Sequence, residues 1–418
     1  MITESDLEVR EALDVRDELD VREKHHSIFS PGLVRVATAH LIVDGYTNVY
    51  APLLPLLIPR LGLSLFAAGA LAMIFQLAAS VSQLGFGRLA DRWHPRRLLI
   101  AGPIITVTML SLIGVAPTTM WLAVVLIVGG LGAAMFHPPG AMMAHRLGAA
   151  RPSLAMSIFI GGGTVGFALS PLMFSTVAAL YGEAATVWLM LPGLFGLAIV
   201  LRGLPPLPAT HDAKSGGFSA LRPYAKPLGL LYTIVVLRTV TALSFVTFLP
   251  VMLSRRGLDV GHAGFIVATY LLASSAGGFV GGTLADRFGP KRVIAATLIA
   301  AVPFLMAAPF LDGTWFAIVL AIGGFFLQST QPLNVAYGQA VAPVSAATVS
   351  SLMMGVAWGT GGLMVPVIGT MADRLGIAAT LSVLSVLPAV AAMCVIPLPA
   401  LPGRHVVRAA EVGINEPE

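Results

Sequence analysis

The sequence predicts an all-α integral membrane protein of twelve transmembrane helices in two pseudo-symmetric six-helix bundles. Three observations lead there: an apolar composition, a long series of apolar segments, and a charged turn that occurs twice. Of 418 residues, 56% are hydrophobic and 11% charged, with a mean hydropathy of +0.86. Soluble domains carry roughly 25% charged residues. The turn Gly87-Arg88-Leu89-Ala90-Asp91-Arg92 returns as Gly282-Thr283-Leu284-Ala285-Asp286-Arg287, at an offset of 286 − 91 = 195 residues. Duplication at half-length in a membrane chain implies two similar halves with a site between them.

A membrane helix needs about 20 mainly apolar residues. Six such segments fall near 34–58, 64–89, 97–116, 120–145, 153–180 and 184–201. Six more fall near 227–253, 262–285, 291–311, 314–340, 345–371 and 377–399. The predicted organisation is an acidic tail over 1–29, a bundle over 30–201, a linker over 202–226, a bundle over 227–399 and a tail over 400–418. The first tail has acidic residues at 4, 6, 8, 11, 14, 17, 18, 20 and 23 and lacks the apolar core of a signal peptide. Its Leu-acid-Val-Arg unit recurs every six residues, a period that fits no regular helix and predicts a solvated tail.

Basic loop residues set the orientation. One side receives Arg88, Arg92, Arg96, Arg97, Arg146, Arg151, Arg202, Arg222, Lys226, Arg287, Lys291 and Arg292. The other receives Arg60, Arg255, Arg256 and Arg374. The richer side is expected in the cytosol with both termini, in a bacterial inner membrane. The net charge of +5 thus reflects membrane loops, not a nucleic-acid patch. The single cysteine, Cys394, excludes an intramolecular disulfide and a cysteine metal site. No Gly-rich phosphate loop ending in Gly-Lys-Ser/Thr occurs, and no nucleophile–base set, so neither ATP drive nor an enzyme is expected and no cofactor is implied.

Ionisable residues inside a membrane are costly and mark function. His40, Asp44, His137 and Arg238 qualify, with Arg35 nearer the edge. Asp44 lies about ten residues into its span, or about 15 Å at 1.5 Å per residue. Arg238 and His137 lie at similar depth. Since 238 − 44 = 194, Asp44 and Arg238 occupy equivalent places with opposite charge, and are expected to face each other or to grip two ends of a substrate. His40, four residues before Asp44, shares its helical face and could share a proton. An arginine left free would favour an anionic compound, whereas one neutralised by Asp44 would not. His40, Asp44 and His137 also spell a conceivable metal site, though no further carboxylate or thiol is at hand. Tyr46, Asn48, Gln76, Gln328, Gln331, Asn334 and Trp358 are further candidate substrate contacts. Gln328, Gln331 and Asn334, three apart, are expected on one face. Glycines at 161–163 and 166, with Gly359, Gly361 and Gly362, are expected to pack at a surface that also rocks.

The two charged turns and the Gly-rich span ending in Ser170-Pro171 resemble signatures of the major facilitator superfamily. His40-x-x-x-Asp44, Phe75-Gln76-Leu77-Ala78, Phe136-His137-Pro138 and Thr247-Phe248-Leu249-Pro250 resemble its fosmidomycin resistance branch. Pro139 stands where members of that branch can carry an acidic residue. The resemblance implies a monomeric, proton-coupled antiporter that exports a drug or small organic compound by alternating access. It also implies that Gly87, Asp91 and Arg92, with Gly282, Asp286 and Arg287, latch the halves together. An importer of a small metabolite would share these residues.

Overall fold

The structure, a computed structural model, describes residues 30–92, 95–148, 152–205, 218–343 and 346–399. Among them the chain is helical with no strand. Twelve apolar helices follow in order: α1 Pro31–Leu61, α2 Leu65–Gly87, α3 Pro95–Val115, α4 Thr119–Leu147, α5 Ala155–Tyr181 and α6 Glu183–Arg202, then α7 Leu221–Arg255, α8 Val260–Phe288, α9 Pro290–Phe310, α10 Gly313–Val341, α11 Thr348–Leu375 and the shorter α12 Ile377–Met393. The expectations for both tails and for most of the linker fall on residues outside those described. At the linker's end, a helical turn at Phe218–Tyr224 leads into a continuous helix from Ala225 to Arg255, so α7 starts earlier than its apolar run suggests.

Burial ranks the helices. In α7 and α1, 78% and 67% of the apolar window is enclosed, against 28% in α6. The first helix of each half is therefore central and α6 faces outward, where Phe195 and Ile199 are exposed as lipid would require.

Three helices break at prolines. A proline cannot donate to the carbonyl four residues back, which frees that carbonyl and bends the helix. Pro52, Pro332 and Pro366 thus act on Asn48, Gln328 and Gly362, and the helices are interrupted next to each of them. α11 also carries a π-helical turn at Ser351–Val356, just before Trp358, and such turns recur at functional sites.

The halves meet along α5 with α8 and along α2 with α11. At the end remote from the repeated turns they are closed. A Cβ at Gly69 of α2 would sit 2.6 Å from the Val365 carbonyl oxygen of α11, and Gly369 of α11 presses equally on the Leu65 carbonyl. The same end holds a third copy of the turn, Gly369-Thr370-Met371-Ala372-Asp373-Arg374-Leu375-Gly376. Gly289 and Gly376 end the second and third copies at φ 85° and 84°, a conformation that glycine adopts without steric cost.

Asp373 reaches across to the other half. Its two carboxylate oxygens accept from the Leu65 and Phe66 amides, each at 3.2 Å, while the Ser64 hydroxyl accepts from Ala67 at 3.1 Å. The opening amides of α2 are thereby satisfied, two of them by the opposite bundle, and the carboxylate lies at the positive end of the helix dipole.

This contact exists only while that end is closed. Asp373→Ala should cost the closed state about 1 kcal/mol, about a fivefold shift in population. Spin labels at Phe66 and Leu375, in a chain with Cys394 replaced by serine, would report a larger separated fraction; an unchanged distance distribution would rule the contact out as a clamp.

Candidate functional site

Two clusters of polar groups stand inside the bundles, one in each half. In the first half, α1 carries His40 and Asp44 on one face and α4 brings His137 to them. Asp44 Oδ2 lies 3.2 Å from His40 Nε2, and Oδ1 lies 3.3 Å from His137 Nε2. The other nitrogen of each ring is also engaged. His40 Nδ1 is 2.8 Å from the Phe159 carbonyl oxygen of α5, and His137 Nδ1 is 2.7 Å from that of Ala133 one turn back. A carbonyl only accepts, so both Nδ1 atoms carry protons.

A second proton count follows. A neutral ring with its proton on Nδ1 presents a lone pair at Nε2, facing a carboxylate oxygen. Each Nε2–carboxylate contact becomes a hydrogen bond only with an added proton, on the nitrogen or on the carboxyl. The observed geometry suits a cluster with a proton in both contacts, and loss of one sets a lone pair against an oxygen. Proton occupancy and cluster shape are therefore coupled.

Packing keeps the three groups together. His40 stacks on Phe159 at 4.1 Å between centroids, with Phe136 at 5.8 Å. Gly163 of α5 lies against the cluster; a Cβ there would come within 2.7 Å of Asp44 Oδ2 and would overlap His40 Nε2. The side chain of His40 is 7% exposed, against 17% for Asp44 and 23% for His137, so the cluster opens on the Asp44 and His137 side. The three ligand atoms lie within 4.8 Å of one another, so two imidazoles and a carboxylate could hold a divalent transition metal. The ring orientation by backbone carbonyls would suit one. The described residues add no fourth protein ligand to that group.

The expected pairing of Asp44 with Arg238 does not occur: both carboxylate oxygens are taken by histidines of the same half. Arg238, fully buried in α7, instead turns to its own bundle. Its Nη1 donates to Gln328 Oε1 of α10, its Nη2 donates to Thr239 Oγ1 at 3.2 Å, and its guanidinium lies 5.4 Å from the Trp358 ring centre. Beside this group is a small cavity of about 30 Å³, lined among others by Phe167 of α5 and by Leu243, Val246, Tyr270, Gln328 and Trp358 of the second half.

Of the other predicted contacts, Gln328 and Trp358 border this cavity. Asn334 is fully buried, and neither polar atom of its side chain has a partner. Gln331 is half-buried. Between Gln328 and Gln331 the hydrogen-bond ladder of α10 is interrupted at Ser329–Thr330 ahead of Pro332. Tyr46 and Asn48 are tied into the first bundle: Tyr46 donates to the Leu189 carbonyl at 2.5 Å, and Asn48 donates to that of Phe167 at 3.3 Å. Gln76 donates to Ser80 at 2.5 Å. Arg35 donates to the Gly203 carbonyl at 2.6 Å, which makes it a cap on α6 and not a ligand group.

The glycines divide. Gly162, Gly163 and Gly166 pack on α1 within their own half, contrary to expectation, whereas Gly359 and Gly362 meet Val81 and Gln76 of the opposite half. At the repeated turns, Gly87 faces Pro138 and Gly282 is open. Asp286 is exposed, and Arg287 stacks by Phe288 at 5.3 Å. The side chains of Asp91 and Arg92 lie outside the described residues. Sequence reasoning missed Asp373, legible as a third copy of the turn. It also missed Thr239, Tyr270 and Phe167, which carry no local signal.

A profile of the Major Facilitator Superfamily matches residues 36–366. The chain is 28% identical over 365 residues to the fosmidomycin resistance protein of Escherichia coli (strain K12), covering 84% of this chain and 89% of that one. It is 24% identical over 339 residues to the gentisate transporter of Corynebacterium glutamicum, covering 77% and 76%. Among solved structures, an inward-facing bacterial homolog of the human lysosomal transporter Spinster aligns with a TM-score of 0.72 at 18% identity, over 88% of this chain and 96% of that one. The nucleoside transporter NupG aligns with a TM-score of 0.70 at 15% identity, over 88% and 99%. With the profile spanning most of its length and the twelve-helix architecture in agreement, the chain belongs to the Major Facilitator Superfamily of membrane transporters.

Proposed function

We propose that this transporter is a proton-coupled antiporter that exports a small organic compound. Rocking of 30–201 against 227–399 exposes the cavity alternately to each side, with the repeated turns on the cytosolic side. The observation that carries the reading is the Asp44 cluster, which gathers a carboxylate and two imidazoles beside the enclosed helix α1. His40 and His137 share the proton with Asp44. The charged groups of the turns, Asp91, Arg92, Asp286 and Arg287, act as the cytosolic counterpart of the Asp373 contact, with Gly87 and Gly282 giving close approach. Export is favoured over import by the name of the fosmidomycin resistance protein, a relative along most of the chain. A divalent cation as cargo is the weaker reading, since the described residues add no fourth protein ligand to the three.

In proteoliposomes with an imposed proton gradient, native protein should drive flux of an exported drug and Asp44→Asn should not. Gradient-independent flux in both would remove proton coupling, and full coupled flux in Asp44→Asn would remove the cluster from the mechanism. Susceptibility of expressing cells separates the directions: export raises resistance to the transported drug, import lowers it.

Gly163→Ala forces a methyl group between His40 and Asp44. It should uncouple flux from the gradient much as Asp44→Asn does, while Gly161→Ala, whose Cβ would lie 3.5 Å from Phe279, serves as a packing control. Equal coupling in the two glycine variants would show that the cluster's geometry is not required.

A further inference from the structure

Arg238 is a fully buried ionisable group whose hydrogen-bond partners are all neutral. Its side chain is fully buried, its Nε has no hydrogen-bond partner, and Nη1 and Nη2 reach only an amide oxygen and a hydroxyl. No carboxylate of the described residues lies within 4.0 Å of it. Removing a guanidinium from water without a counter-charge is strongly unfavourable, and a neutral amide with a Trp face offsets only part of that cost. Such a group is held ready for an anion. Asp44, the expected counter-ion, is engaged elsewhere.

The surroundings define what the anion is attached to. Gln328 and Trp358, two of the side chains that touch the guanidinium, also line the cavity. An oxyanion entering there would replace the Gln328 oxygen on Nη1 and could also accept from Nε, the paired geometry in which arginine binds carboxylate or phosphonate most strongly. Apart from Ser274, whose hydroxyl donates to the Tyr270 carbonyl, the rest of the lining is apolar or aromatic, with Phe167, Leu243, Val246 and Tyr270 among it. The enclosed space is about 30 Å³, room for roughly one or two waters, so a larger group enters only as the two halves part.

We propose that Arg238 receives the anionic head of the transported compound and that the Trp358-lined cavity takes its apolar body. The substrate class is an organic oxyanion with an apolar body. This names the cargo of the cavity invoked above and rests on that cavity being the transport site.

Full-length protein in lipid nanodiscs is titrated with benzoate and phenylphosphonate, and with the uncharged benzamide and cationic benzylamine as matched probes. Both anions should bind saturably, with benzamide and benzylamine weaker by roughly tenfold to a hundredfold. Arg238→Gln should lose a similar factor for the anions alone. Gln328→Glu supplies an internal carboxylate at the atom Nη1 already holds. It should keep or raise the thermal midpoint while abolishing anion binding, so it carries the test if Arg238→Gln does not fold. Equal binding of benzoate and benzamide, unchanged benzoate affinity in Gln328→Glu, or no saturable binding of either anion overturns the proposal. Asp44→Asn separates the two readings, since it should bind benzoate normally. Gradient-driven drug flux without anion binding sinks only this inference, and anion binding without gradient-driven flux sinks only the coupling.

Discussion

A charge inside an apolar bundle must have a partner, and this molecule meets that demand differently in its two halves. The first surrounds a carboxylate with two imidazoles, each fixed by a backbone carbonyl on its far nitrogen. The second leaves a guanidinium with an amide, a hydroxyl and an indole face. In the proposed cycle protons complete the first arrangement and an anion the second. Both sit on the most enclosed helices, α1 and α7, so a change in either ligand acts on the middle of its bundle.

Small residues let those bundles close. Glycines bring α5 against α1 within one half and α2 against α11 between halves, with backbone oxygens where a side chain would stand. Proline breaks place Asn48 and Gln328 at bends, where the backbone can change direction without unfolding a turn. The Asp373 contact adds a polar clamp to an otherwise apolar closure. It links a C-terminal turn of one half to an N-terminus of the other, where dipole and carboxylate attract.

Symmetry explains which residue roles the chain disclosed and which it concealed. The equal offsets of Asp44 and Arg238 suggested matching places in the two halves. They said nothing about direction, and the two side chains turn into their own bundles. Arg35 looked as free as Arg238 in the sequence; it is spent on the end of α6. Evenly spaced polar residues at 328, 331 and 334 suggested one stripe of equal members, yet Gln328 holds Arg238 while Asn334 is buried without a partner.

The chain by itself determined the solvent, the number of spans and the duplication. Lipid tolerates only long apolar helices with charges at their ends, and that constraint is written in one dimension. It also set the acid beside a histidine four residues away, because helical periodicity is local. Only the tertiary structure decided that His137 of a distant span completes that cluster, that Arg238 has no carboxylate, and that Asp373 caps the opposite half. Those outcomes depend on angles and distances between helices, which arise from the summed packing of many apolar side chains and leave no mark at the residues concerned.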